Sequence, residues 1–266
     1  MQFLRALFLS LAVIAPAFAA DYVAGPTPLG AYFPGHSLIG VQTFCASGCT
    51  TTSTGAYTPD AGTNSVIIEV VAAGGGSGGC GATNSAQGCV GGSAASGSFM
   101  SARFTSGYSG VTMTIGAAGL AGTNAGAGGI GGTTSAGALI SCPGGTGGLF
   151  GTTGAIAAFG LATNAVAAPS ACTNTGGTVL ASVAGQGSSS GFQTAIAAGG
   201  QFPGSGGSTP LGSGPPFTYG VGVATAIGTA GSGYGWGAGG SYNDASQSAT
   251  VGLPGGPSRI IIYEFN

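Results

Sequence analysis

Residues 65–79 read SVIIEVVAAGGGSGG: a run dense in β-branched side chains passes through Ala72-Ala73 straight into a burst of glycine. The first part is a strand by composition, since Val and Ile suit a pleated, buried surface. The second part has almost no side chain to bury, so its N–H and C=O groups must find partners elsewhere. The same problem recurs along the whole chain, where 59 of 266 residues are Gly and only 3% are charged. Ordinary globular proteins have about 7% Gly and about 25% charged residues. Order here has to come largely from the backbone, and function is to be sought in architecture before chemistry.

Outward from this stretch, further strands are expected at Phe99 to Phe104 (FMSARF), at Gly110 to Ile115 (GVTMTI, with Val111, Met113 and Ile115 on one face) and at Arg259 to Phe265 (RIIIYEF). No segment has helical periodicity. Gly151 to Ala168 is Ala-rich, but its Gly and Thr make a helix marginal. Between the strands lie glycine-dense stations at Gly74 to Gly79, Gly126 to Gly132, Gly144 to Gly148, Gly199 to Gly207 and Gly231 to Gly240. They have no fixed period, which argues against a solenoid. Disorder is the competing reading of such tracts, and the flanking strands and paired cysteines argue against it.

Residues 1–19 have the form of a signal peptide: Arg5, an apolar core from Leu7 to Ile14, and Ala17-Phe18-Ala19 as a small-x-small cleavage site. The apolar core is too short to span about 30 Å of hydrocarbon, and no later stretch spans either. A secreted or cell-surface location is expected, with no transmembrane segment. Six cysteines agree with an oxidising compartment: Cys45 and Cys49, Cys80 and Cys89, Cys142 and Cys172. Fifteen connectivities are open to six cysteines, of which nearest-neighbour pairing is the simplest. A zinc site fits poorly, because the spacings are irregular and His36 is the only histidine. Beyond the signal the cations are Arg103 and Arg259, with no Lys, so nucleic acid and acidic membranes are excluded as partners.

Tyr57-Thr58-Pro59-Asp60-Ala61-Gly62, followed by the strand and glycine burst to Gly79, resembles the opening of the glycine-rich domains of bacteriophage tail-fibre and receptor-binding proteins. Gly97-Ser98-Phe99, Val111 to Gly116, Gly128 to Thr134 and the closing Ile260 to Phe265 follow in the same order, so the similarity spans residues 42–266. The resemblance implies a mainly β domain: a small sheet made by the opening and closing strands, glycine-rich layers packed as polyglycine II helices, and display loops, all stabilised by disulfides. It also implies no enzymatic activity and loops that contact a host surface. Carried onto this chain, the binding residues are Tyr219, Tyr234, Trp236 and Tyr242, since Tyr and Trp supply contact area at low entropy cost. Trp236 equally suits a small core. Residues 20–41 lie outside the resemblance and read as an N-terminal extension or attachment segment. The signal peptide is a departure from tail fibres, which assemble in the cytoplasm.

Catalytic patterns are present but uninformative. Gly75 to Gly79 and Gly187 to Gly191 both fit G-x-S-x-G, a motif that needs a following helix which neither segment supplies. His36 and Asp60 could join a serine in a triad only if the extension folds onto the domain. Glu69 and Glu264, on apolar strands, are expected to face solvent, near Arg103 or Arg259. The reading is an exported, non-enzymatic glycine-rich surface protein, without cofactor or metal, that binds a cell-surface glycan or protein receptor. The alternative is a self-assembling homo-oligomer, the subunit of a filament or virion coat, built through an exposed edge of Arg259 to Phe265. A third reading, binding to ice or ordered water, needs a regular Thr or Ala grid that the spacing does not supply.

Overall fold

The computed structural model describes residues 36–46, 51–52, 54–155, 165–194, 200–216, 220–221, 225–226, 228 and 230–266. The signal peptide, most of the N-terminal extension, Cys49 and Tyr219 lie outside the described residues. The fold is all-β, with several small antiparallel sheets and no helix among the described residues.

The opening strand Ser65–Val71 and the closing strand Arg259–Phe265 pair antiparallel along their whole length, Ile68 opposite Ile262. They form the centre of a six-stranded sheet. Its order is Thr178–Val183, Phe99–Phe104, Ser65–Val71, Arg259–Phe265, Leu38–Cys45 and Thr51–Thr52. Val66, Ile68, Val70, Met100, Ala102, Ile260 and Ile262 turn one face of it toward a five-stranded sheet that contributes Met113, Ala136 and Ile140. Burying these side chains provides the main apolar core. The Cys142–Cys172 disulfide lies within that core.

Three expectations are corrected here. The closing strand has no free edge, because Leu38–Cys45 and Ser65–Val71 flank it on either side. Leu38–Val41, read as extension, belong to the sheet. Glu264 does not face solvent: it is fully buried and accepts from Tyr57 Oη (2.7 Å), Gln42 Nε2 (2.8 Å), the Asp60 N–H (2.9 Å) and Thr63 Oγ1 (3.0 Å). Four donors replace the water that a buried carboxylate loses.

Past Ala73 the opening strand becomes the axis of a bundle. Its N–H groups donate in three directions in rotation: Gly74, Ser77 and Cys80 to Gly256, Leu253 and Thr250; Gly75 and Gly78 to Ala95 and Gly92; Gly76 and Gly79 to Gly129 and Gly126, all at 2.8–3.0 Å. Its carbonyls accept with the same period. Gly74 and Ser77 accept from Gly119 and Gly122; Ala73, Gly76 and Gly79 from Gly145, Gly148 and Gly151; Gly75 and Gly78 from the Ala238 N–H and the Ser241 hydroxyl. Partner numbers fall in the first set and rise in the second, so antiparallel and parallel neighbours alternate around the axis.

The neighbours also bond to one another. Gly255 donates to Gly119, Gly129 to Leu120, Gly131 to Gly145, Ala95 to Thr146, Ala94 to Ala238 and Gly256 to Trp236, closing a ring around residues 73–80. A period of three with no internal hydrogen bonds is that of the polyproline II helix, here in its polyglycine form. At the axis glycines the six neighbours leave no room for a β-carbon: one added at Gly75 or Gly78 would overlap the carbonyl of Thr146 or Leu149, whereas Ser77 is accommodated. Ring members show their outer sides by the same period. Gly116, Gly119 and Gly122 are buried, whereas Ala117, Leu120 and Thr123 are exposed.

Candidate functional site

At the end away from the two packed sheets the chain turns back at residues 80–89, 123–126 and 243–250, and these turns form a tip. The Cys80–Cys89 disulfide closes the first turn. Gln87–Val90 pairs with Thr153–Ala155 on one side and Tyr242–Asn243 on the other, with Thr225–Ala226 beyond. Phe192–Thr194, Gly200–Phe202 and Gly220–Val221 form a second small sheet against it. Cys45 is also disulfide-bonded, on the strand Leu38–Cys45 opposite Arg259.

Polar side chains fix the tip loops. The Thr83 N–H donates to the Gln247 carbonyl (2.9 Å), the Gln247 N–H to Thr83 Oγ1 (3.0 Å), and the Thr83 hydroxyl to the Asp244 carbonyl. Asn243 is fully buried; its Nδ2 donates to the carbonyls of Gly81 and Ser248, each at 2.9 Å, and its Oδ1 accepts from the Thr250 hydroxyl. Ser246 occupies the left-handed region (φ 59°) and donates its N–H to the Asn84 carbonyl at 3.0 Å. These bonds tie residues 81–89 to residues 242–250, so the turns are held by more than their own short loops.

Of the sequence-predicted binding residues, the three that are described, Tyr234, Trp236 and Tyr242, are not brought together. Tyr242 is in the tip but only 2% exposed, and burial, then the nearby Asp244, raises its phenol pKa. Trp236 is 8% exposed and packs with Ala94, Ala238 and Leu253, between Gly231 and Gly256. Tyr234 is half-buried at the other end of the bundle, with the Arg259 guanidinium 4.8 Å from its ring centroid.

Four exposed apolar side chains lie at the tip, whereas Leu120 and Ile130, 77% and 72% exposed, lie along the bundle. Phe150 is 50% and Phe192 41% exposed, and Leu149 and Val251 are comparably open. Phe192 sits directly opposite Phe202 and stacks on it with centroids 4.4 Å apart and planes 15° apart, which orients the ring. The available signal was position: Leu149-Phe150 follows the station ending at Gly148, Phe192 follows Gly191, and Phe202 lies inside the station from Gly199.

The nucleophile-like patterns are absorbed by the scaffold. Ser77 is fully buried, and its Oγ accepts from the Leu253 N–H at 2.8 Å. Ser189 Oγ accepts from the Ser205 N–H at 2.7 Å. His36 Nδ1 is bonded to the Asn266 carbonyl. Among the described residues no group of His, Cys, Asp or Glu is placed to hold a metal ion, and no helix is long and apolar enough to cross a membrane. No protein-family model matches the chain, and no curated protein matches it closely enough to count as a relative.

Proposed function

We propose that the protein is exported, with its signal peptide removed after Ala19, and serves as a non-enzymatic attachment protein whose binding surface is the bundle tip. The observation that carries this reading is the placement of Phe150 and Phe192, exposed aromatic rings at the end of a hydrogen-bonded bundle, the second of them on the short strand Phe192–Thr194. Exposed aromatic rings at the tip of a scaffold suit an interaction role. The stack on Phe202 orients the Phe192 ring, which reduces the ordering entropy that binding has to overcome. Aromatic faces suit the C–H faces of sugars as well as protein side chains, so the partner class is a cell-surface glycan or protein receptor. The resemblance to the glycine-rich domains of phage receptor-binding proteins accords with loops presented in this way.

The test is binding of labelled mature protein to whole cells and to immobilised glycans. Phe150→Ser and Phe192→Ser together should reduce attachment by about tenfold or more, the scale of losing two aromatic contacts. The melting temperature should stay nearly unchanged. Attachment that survives the double substitution would remove the tip as the binding surface.

A further inference from the structure

Val66, Ile68, Val70, Ile260 and Ile262 point into the main core, so alternation along the strands turns Ser65, Ile67, Tyr263 and Phe265 onto the outward face of the six-stranded sheet. Ile67 sits directly opposite Tyr263, and Ser65 opposite Phe265. This outward face is closed to water: Ser65 is buried, Ile67 is 4% exposed and Phe265 3%. Among the described residues, the apolar side chains packed together here are those of Ile67, Phe265 and Tyr263, all from the two central strands. Neighbours within a sheet lie beside a residue, about 5 Å away in its plane, and do not by themselves close the space above it. The closure stops short of the next strand, where Val41, opposite Tyr263, is exposed.

We propose that residues 20–35 dock across this face, with Tyr32 and Phe33 covering Ile67 and Phe265, so that the N-terminal extension is part of the fold and not an attachment segment. Three observations select this occupant. The burial is that of a single copy, so the cover belongs to the same chain. The second is where the described chain begins: His36 Nδ1 is bonded to the Asn266 carbonyl and the Ser37 N–H donates to Asn266 Oδ1 at 2.7 Å, immediately beside Phe265. The longer segments outside the described residues are attached elsewhere, residues 156–164, 195–199, 217–219 and 222–224 next to strands of the tip. Phe33 is within about 10 Å of His36 even in a fully extended chain. Ile67 lies two residues along and one strand over from Phe265, about 8 Å away. The third is chemistry: the segment offers Tyr22, Val23, Leu29, Tyr32 and Phe33, and its only charge is Asp21, so most of it can be buried without desolvating an ion. Pro34-Gly35 is a turn dipeptide placed where the chain has to fold back over the sheet. The assignment takes the mature chain to begin at Ala20, as proposed above; a different cleavage site found by mass spectrometry bears on that reading alone, because Tyr32 and Phe33 are tested directly.

The test is NMR of the disulfide-bonded mature protein with labelled isoleucine methyls and aromatic rings. The Ile67 methyls should show nuclear Overhauser contacts to the ring protons of Tyr32 and Phe33. Tyr32→Ser with Phe33→Ser should abolish those contacts and lower the melting temperature by about 4 °C or more, the scale of uncovering two aromatic contacts. The wild-type contacts decide the matter alone if the double variant fails to fold. An Ile67 side chain in contact with other residues, or with solvent only, would overturn the proposal, as would a double variant that melts like wild type. Contacts found only between differently labelled copies would overturn it in favour of an extension exchanged between two molecules.

Discussion

The Tyr57 hydroxyl donates a 2.7 Å hydrogen bond to Oε1 of Glu264, joining the opening turn to the closing strand across 207 residues of sequence. Burial, and then the Glu264 carboxylate, raise the phenol pKa far above its usual value, so the donor stays protonated. The bond explains why a Y-x-P-x-x-G turn and a closing strand ending in Glu-Phe occur together: the turn supplies the Tyr57 hydroxyl and the Asp60 N–H that the buried carboxylate needs. Tyr57→Phe keeps the ring and removes one donor. It should cost about 1–3 kcal/mol in urea unfolding, the penalty for leaving a buried acceptor short of a partner. That corresponds to a fall in melting temperature of roughly 2–4 °C per kcal/mol at this size. An unchanged transition would mean that the other donors satisfy Glu264 on their own.

The bundle should tolerate a methyl group by position and not by residue type. Gly78→Ala places a β-carbon onto the Leu149 carbonyl, whereas at Gly81, three residues on, the nearest atoms are side-chain carbons of Ala125 and Thr153 at 3.6 Å. Gly78→Ala should destabilise by about 3 kcal/mol or more, at or beyond the upper end of overpacking costs. Gly81→Ala should be near neutral. Similar melting curves for the two variants would remove the requirement for close backbone approach.

Glu69 sits on the outward face of the same sheet, opposite Ser101 and Ile261, with the Tyr263 hydroxyl 3.4 Å from its Oε2. Burial raises its carboxyl pKa above the ordinary 4.5, against the lowering effects of Tyr263, Ser101 and Arg259. The folded state therefore holds this proton more tightly than the unfolded state does. Its contribution is fully present below pH 4.5 and is lost as pH climbs through the raised folded value. Glu69→Gln should thus be more stable than wild type at neutral pH, and the difference should vanish in acid. Melting curves of both proteins across that range decide it; a variant less stable at pH 7 would mean that the carboxylate's hydrogen bonds outweigh its burial.

The two described disulfides should differ in their contribution. Cys142–Cys172 spans 30 residues and Cys80–Cys89 spans 9. Chain entropy assigns about 3.5 kcal/mol to the first and about 2.5 kcal/mol to the second. The first also lies in the core, so Cys142→Ala with Cys172→Ala should lower the urea midpoint more than Cys80→Ala with Cys89→Ala. The reverse order would show that the tip limits stability.

SVIIEVV, FMSARF and RIIIYEF were readable as strands because β-branched and aromatic residues crowd into short runs, and their burial on both faces matches that density. Spacing left fifteen connectivities open, and the simplest of them, nearest-neighbour pairing, holds for Cys80–Cys89 and Cys142–Cys172. Glu264 was not, since the groups that accommodate its charge come from Gln42, Tyr57, Asp60 and Thr63 at the far end of the chain. The bundle was half visible. Glycine has no side chain to carry a pattern, yet the outer segment does carry one in Gly116-x-x-Gly119-x-x-Gly122, the period of the helix itself. Choosing Tyr and Trp by residue class selected Trp236 and Tyr242, rings that the fold buries. Chain position, a large side chain at the end of a glycine run, marks the rings it leaves open.

Amide hydrogen exchange followed by NMR tests the bundle most directly. Gly75, Gly76, Gly78 and Gly79 each donate to a different ring segment or turn of it and are buried. Their amides should exchange as slowly as those of Ile68 and Ile262 in the central sheet, through global opening. Exchange of these four glycines at the rate of an unstructured peptide, while the two isoleucines stay protected, would contradict the hydrogen-bonded ring.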